Sequence, residues 1–253
     1  YALNFGSLEL RVADVATLSA ADLPGHGDLL WASFPCQDLS LAGKGAGLDG
    51  QRSGVFWQVS RLLLELQSQD RLPTVVVLEN VVGALSSNEG KDFSQIATAL
   101  CEIGFQFGAL VIDAVDFLPQ SRPRLFVVAV APSVTIESCL VRNSPSARWH
   151  PKRLVEAKLA LPTASQEQWV WWSLPNPPTR ASVFADVIDD TPVGVAWHST
   201  EETARLLAMM SPLHLEKVYE AQRTKERRIG AIYRRTREGI QRAEVRFDDV
   251  AGC

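Results

Sequence analysis

Two residues stand where apolar runs end and chemistry can begin. Cys36 follows Asp28-Leu29-Leu30-Trp31-Ala32-Ser33-Phe34, a buried-strand pattern preceded by the turn formers Pro24, Gly25 and Gly27, and it sits in Pro35-Cys36-Gln37. Behind it come Gly43, Gly45, Gly47, Gly50 and Gly54, a spacing too permissive for helix or strand. A thiol between a rigid strand end and a movable cover suits a nucleophile that its substrate must be wrapped around; for a lone cysteine the competing reading is a buried structural thiol. Glu79 closes Thr74-Val75-Val76-Val77-Leu78, the strongest strand pattern in the chain. A carboxylate at the end of a buried strand is costly unless it is used or paired. A third candidate, Asp14, ends the alternating run Leu8–Asp14. It reads equally as an acceptor for a ligand at a strand tip and as a cap for a helix starting near Ser19.

The elements that position these residues follow from periodicity. Val55, Phe56, Val59, Leu62, Leu63 and Leu66 predict a helix, and Phe93 to Ile103 a second one stopped by Gly104. Strands are predicted over Phe105 to Ala114 and Leu125 to Val130, the latter entered through Pro119-Gln120-Ser121-Arg122-Pro123-Arg124. Strand, helix, strand, helix, strand at these lengths implies an α/β fold with a parallel sheet flanked by helices. Beyond residue 135 prolines multiply, tryptophans cluster at Trp169, Trp171 and Trp172, and apolar periodicity weakens. We therefore expect a sheet domain over residues 1–135 and a smaller, irregular domain over 136–253, with one helix near Thr200 to Met210. The tryptophans read as core in preference to a stacking surface.

The chain's 253 residues suffice for one large core or two modest ones. No run approaches the roughly 18 apolar residues of a membrane span. Cys36, Cys101, Cys139 and Cys253 are far apart, with no Cys-x-x-Cys and no nearby histidine pair, which argues against a metal site or a disulfide framework and for a reducing compartment. Net charge is −4, yet Lys217 to Arg246 holds ten Lys or Arg against four Glu, so a local +6 rides on a body of −10. A basic segment on an acidic body is the footprint of a polyanion-binding face, with a solvated helix surface as the alternative. Gly45-Ala46-Gly47-Leu48-Asp49-Gly50 matches a dinucleotide fingerprint only formally, because Pro35 to Ala42 separate it from the preceding strand.

Pro35-Cys36-Gln37, Glu79-Asn80-Val81 and Gln120-x-Arg122-x-Arg124, in this order and at successive strand ends, resemble the DNA cytosine carbon-5 methyltransferases of bacterial type. The resemblance covers about residues 8 to 131. It implies a Rossmann-like S-adenosylmethionine-dependent methyltransferase sheet with flanking helices, followed by a target recognition domain. It also implies that Cys36 adds to carbon-6 of a cytosine, because carbon-5 is too weak a nucleophile unaided. By the same resemblance Glu79 holds ring nitrogen 3 and the exocyclic amine, Arg124 meets the carbonyl oxygen and keeps Cys36 ionised, and Arg122 orders the site. The base must leave the helix stack, and the segment Leu39 to Ser53 would close over it. Gln37, Asn80 and Gln120 are expected to support the site.

The implied cofactor is S-adenosylmethionine, with S-adenosylhomocysteine as product. Asp14 matches the family's acceptor for the adenine amine, with Val15, Pro35 and Val55 as neighbours. The family's Phe-x-Gly-x-Gly turn is missing, Asn4-Phe5-Gly6-Ser7 being only a faint echo, and so are its last two motifs. We therefore expect an internal piece of the enzyme, weak in cofactor binding and methyl transfer by itself. The implied partners are double-stranded DNA and a cognate restriction endonuclease, for a monomeric cytoplasmic protein with no membrane association. Arg227, Arg228, Arg234, Arg235 and Arg237 are the candidate phosphate contacts. Two other readings remain: a catalytically incompetent DNA-binding fragment or homologue, and an RNA cytosine-5 methyltransferase of the same family.

Overall fold

The computed structural model describes residues 2–6, 10–23, 25–35, 54–237 and 239–252, with backbone only at Ala2 and Arg237. Cys36, Gln37 and the glycine-spaced segment through Ser53 lie outside the described residues. The chain forms two compact units, Tyr1–Ile112 with Arg124–Pro175, and Asp113–Pro123 with Asn176–Cys253.

The first unit runs α1 (Ala2–Phe5), β1 (Leu29–Ser33), α2 (Val55–Ser68), β2 (Val75–Val81), α3 (Lys91–Ile103), β3 (Gln106–Asp113), β4 (Pro123–Val130), β5 (Val141–Arg142), α4 (Lys152–Leu159), α5 (Thr163–Glu167) and β6 (Trp171–Trp172). Its main sheet has the order β1-β2-β4-β3. β1 lies parallel to β2, with Leu29 beside Val75 and Ser33 beside Glu79. β4, however, runs antiparallel to β2, which corrects the expectation of a parallel sheet. A parallel neighbour needs a crossover of about a dozen residues or more, usually a helix. Residues 114–122 between β3 and β4 contain only the 3-10 turn Ala114–Asp116, so the chain returns without a crossover and inserts β4 beside β2 in the opposite sense.

Period-two alternation sorts the strand residues into two cores. Val76, Leu78, Leu125, Val127, Ala129, Phe107 and Ala109 face the helix side, packing with Phe56, Val59 and Leu63 of α2 and Phe93, Ile96 and Leu100 of α3. Leu110 and Val130 face the other way, toward Trp149 and Trp172. Gly104 stops α3 in the left-handed region (φ 96°), its N–H and that of Phe105 bonding back to the last turn.

Residues 136–175 pack with the sheet unit, beyond the boundary at 135 suggested by composition. Leu154 and Leu161 enter the helix-side core. Phe107 N donates to Gln168 O and Val170 N donates to Phe107 O on either side of Trp169, which packs on the helix-side core, and Trp172 is buried, so Trp169 and Trp172 are core. The strand expected over Leu8–Asp14 does not form across residues 10–14, where Val12 is 90% exposed. Alternation makes a strand only where a neighbour takes up its backbone groups, and none does among the described residues.

The second unit contains α6 (Thr200–Ala208), α7 (Pro212–Arg223) and the hairpin β7 (Ala231–Arg237) with β8 (Ile240–Arg246). Ser199 and Glu202 form a reciprocal capping box at the start of α6, the helix the sequence predicted. α7 and the hairpin were not legible in the sequence. Met210, Ala243 and Val245 form the core, with Leu207, Leu215, Val218 and Phe247 against them. Among the described residues no helix is long and apolar enough to cross a membrane, and no group of His, Cys, Asp and Glu is placed to hold a metal ion.

Candidate active site

β2 continues through Glu79 and Asn80 to Val81, so these two polar residues lie inside the strand and project from opposite sheet faces. Glu79 is in register with Phe126, and Val81 with Arg124. Arg124 is therefore the diagonal neighbour of Glu79 on the same face, within reach of a long side chain. Arg124 Nε lies 3.2 Å from Glu79 Oε1, with side chains 18% and 21% exposed. The pair satisfies the carboxylate that the sequence marked as needing a use or a partner, and it is wet enough at its rim to be reached.

Asn80, on the helix-side face, is buried (5% exposed). Its Nδ2 donates to Phe34 O at 3.3 Å, and its Oδ1 accepts from Val81 N at 2.8 Å. The side chain thereby ties the end of β1 to β2 one residue before Pro35 and two before Cys36. Asn80→Ala should cost about 1–3 kcal/mol, the price of leaving buried backbone groups unsatisfied. A shift of that size in the urea midpoint, with unchanged slope, is the expected reading; an unshifted midpoint would show that the tie carries no weight.

Gln120 and Arg122 belong to the second unit. Arg122 donates its backbone N–H to Asp113 Oδ1 at 2.6 Å, and Asp113 also caps the turn after β3 by accepting from Val115 N at 3.1 Å. Gln120 forms a β-bridge with Ala251, flanked by Ser121 N to Ala251 O (2.9 Å) and Ala251 N to Pro119 O (2.8 Å). Asp113 is thus a brace of the Arg-x-Arg segment that the sequence reading missed. Its only sequence signal was an acid near the end of a predicted strand.

Asp14 is exposed and acts as a cap, accepting from Ala16 N at 2.9 Å through Oδ1 at the head of the 3-10 turn Val15–Thr17. That turn packs against α2. Val15 is half-buried, Pro35 is exposed, and Val55, the first residue of α2, packs on the helix-side core.

The five candidate phosphate-binding arginines do not share one environment. Arg227 is held bidentate by Asp190, which raises its pKa and lowers that of the carboxylate through their mutual hydrogen bonds. Arg228 lies over Phe247 at 5.5 Å and Arg235 over Tyr233 at 4.8 Å. Register places Arg234 opposite Ala243 and Arg235 opposite Arg242, so the adjacent arginines emerge on opposite hairpin faces. Arg234 lines a cavity of about 820 Å³ with Trp197, Arg205 and Tyr233. Arg237 has only its backbone described.

A family model described as C-5 cytosine-specific DNA methylase matches residues 1–243. The Type II methyltransferase M.DsaV of Dactylococcopsis salina is 37% identical over 129 residues, 51% of this chain and 34% of that protein. M.NgoBI of Neisseria gonorrhoeae is 33% identical over 135 residues, 53% of this chain and 40% of that protein. This chain thus spans 34% to 40% of the length of these curated relatives. Among solved structures, a Spodoptera frugiperda DNMT2 mutant aligns with a TM-score of 0.47 at 17% identity, covering 76% of this chain and 49% of that one. With the family match extending over both units and the three sequence elements in their expected order, the chain belongs to the C-5 cytosine-specific DNA methylase family.

Proposed function

We propose that this chain carries the reacting centre of an enzyme that transfers a methyl group from S-adenosylmethionine to carbon-5 of a cytosine flipped out of double-stranded DNA. The observation that carries the reading is the Glu79–Arg124 pair on one face of β2 and β4, with Asn80 on the other face tying down the strand end that leads to Cys36. In this reading the Cys36 thiolate adds to carbon-6, and the ring's electron density moves onto carbon-5. Glu79, oriented through Oε1 by Arg124, presents its other oxygen to ring nitrogen 3 and the exocyclic amine, where it holds the proton that offsets the developing charge. Arg124 also meets the base's carbonyl oxygen. Once carbon-5 is methylated, its proton leaves to water, the 5,6 double bond reforms, and the carbon–sulfur bond breaks with its electron pair returning to Cys36. Arg122 and Gln120, with Gln37, support the segments around the base.

Bound S-adenosylmethionine would supply an electrophilic methyl group, leaving S-adenosylhomocysteine. The donor set fits its adenosyl part: Asp14 keeps acceptor capacity beyond its single bond to Ala16 N, and Val15, Pro35 and Val55 are apolar. Of residues 136–253, the part from Asn176 onward, which lies in the second unit, is assigned to target recognition. A cognate restriction endonuclease is the functional partner this reading suggests.

The full-length protein should be trapped covalently on DNA containing 5-fluorocytosine, because fluorine cannot leave as the ring proton does. Denaturing gels should show the adduct with the native protein and none with Cys36→Ala. An adduct that persists in Cys36→Ala would refute the assignment.

A further inference from the structure

The segment bearing Asp14 and Val15 has almost nothing apolar to hold it. Between residues 10 and 23 only Ala20 is buried, and residues 10–14 pair with no strand among those described. Its backbone is gripped instead by charged side chains from α2 and the loop after it. Arg61 Nη2 donates to Leu18 O at 2.7 Å, and Leu18 is the residue whose own N–H closes the Val15–Thr17 turn onto Val15 O. One turn further along α2, Glu65 Oε2 accepts from Ala20 N at 2.9 Å, while its Oε1 binds Arg61 Nη1. Gln58 Oε1 accepts from Arg61 Nε at 3.1 Å and sets the plane of the guanidinium. Arg71 holds the following stretch through the carbonyls of Ala20 (3.1 Å), Leu23 (2.5 Å) and Gly25 (2.7 Å).

We propose that Arg61, with Glu65, is a positioning residue for S-adenosylmethionine binding: the pair registers the Asp14–Thr17 turn on α2, the helix whose first residue is Val55. The inference rests on the reading that Asp14 and Val15 meet the adenosyl group. A partly exposed ion pair contributes little by its Coulomb attraction. Here the charges act through hydrogen bonds to backbone groups, which are stronger than neutral ones and directional. Arg61 takes the carbonyl at one end of the segment and Glu65 the next free N–H, so together they fix both its position and its rotation. Neither side chain touches Asp14, and the effect on a ligand is through the turn.

The test is equilibrium binding of S-adenosylhomocysteine to the full-length protein by titration calorimetry, alongside steady-state kinetics. Arg61→Met should weaken binding about 10–100-fold, the equivalent of one lost charge-assisted hydrogen bond. It should raise KM for S-adenosylmethionine to match while kcat at saturation stays within about twofold. Arg61→Lys, which keeps the charge but not the fork, should recover part of the affinity. Glu65→Gln provides a second route to the same loss, without removing the guanidinium, should Arg61→Met fail to fold. Asp14→Asn separates the two ideas. If Asp14→Asn leaves binding unchanged, the cofactor reading at this turn is wrong. If it weakens binding while Arg61→Met and Glu65→Gln do not, the positioning inference alone is overturned, as it is if these variants lower kcat with affinity intact.

Discussion

Arg124→Ala is expected to slow methyl transfer by the full-length protein about 10²–10³-fold in a single-turnover assay, the usual consequence of removing one preorganised donor from a reacting centre. The loss has two sources. In the proposed site the base's carbonyl oxygen would lose its cation, and Glu79 loses the partner 3.2 Å away. With both side chains about one-fifth exposed, water replaces that partner only in part. Arg124→Lys should recover little, since an ammonium on a flexible stem cannot hold the carboxylate and the carbonyl at once. Arg124 is the second residue of β4, at the end of the sheet, so the ladder between Val75–Asn80 and Leu125–Val130 should survive. Thermal unfolding should therefore change far less than rate. A variant within threefold of the native rate would remove Arg124 from the reacting centre, while a collapsed melting transition would make its role one of folding.

The largest effect on stability is expected from Gly108→Ala. A Cβ at this position would stand 1.9 Å from Val170 O and 2.9 Å from Trp172 Nε1. The obstacle is backbone, held close by hydrogen bonds from Phe107 N to Gln168 O (3.0 Å) and from Val170 N to Phe107 O (2.7 Å). The segment cannot retreat without breaking those bonds and uncovering Leu110, Trp149 and Trp172. Overpacking of this kind costs about 3 kcal/mol or more when no side chain can move aside. Gly27→Ala is the control: nothing lies within 4 Å of its Cβ position, and its cost should stay near 0.5 kcal/mol. Equal urea midpoints for the two variants would show that residues 168–172 do not lie against β3 as described.

The same contact explains why the first compact unit runs past residue 135, where composition changes. Prolines, tryptophans and fading periodicity after residue 135 look like a change of domain. Yet Phe107 pairs with Trp169, and Leu154 and Leu161 complete the core under β3 and β4. Covering a sheet edge needs only a few backbone hydrogen bonds and some large side chains, and neither leaves a periodic trace. The charge run from Lys217 to Arg246 was similarly incomplete as a guide, because one of the acids that answer it comes from elsewhere in the chain: Arg227 is matched by Asp190, 37 residues earlier.

What the sequence by itself determined is local in origin. The β-branched run before Glu79, the helical spacing after Gly54, the stop at Gly104 and the helix near Thr200 each express steric and hydrogen-bonding preferences within a few residues, and each appears where the spacing put it. The order of the cysteine, glutamate and arginine motifs likewise identified the family without coordinates. Tertiary structure alone decided that β4 returns antiparallel to β2, that Arg124 meets Glu79, and that Asn80 turns to the opposite face to hold Phe34. Strand direction and register are settled by which distant segment fills the neighbouring row of backbone donors and acceptors. Periodicity, being the same read forwards or backwards, carries no information about that choice.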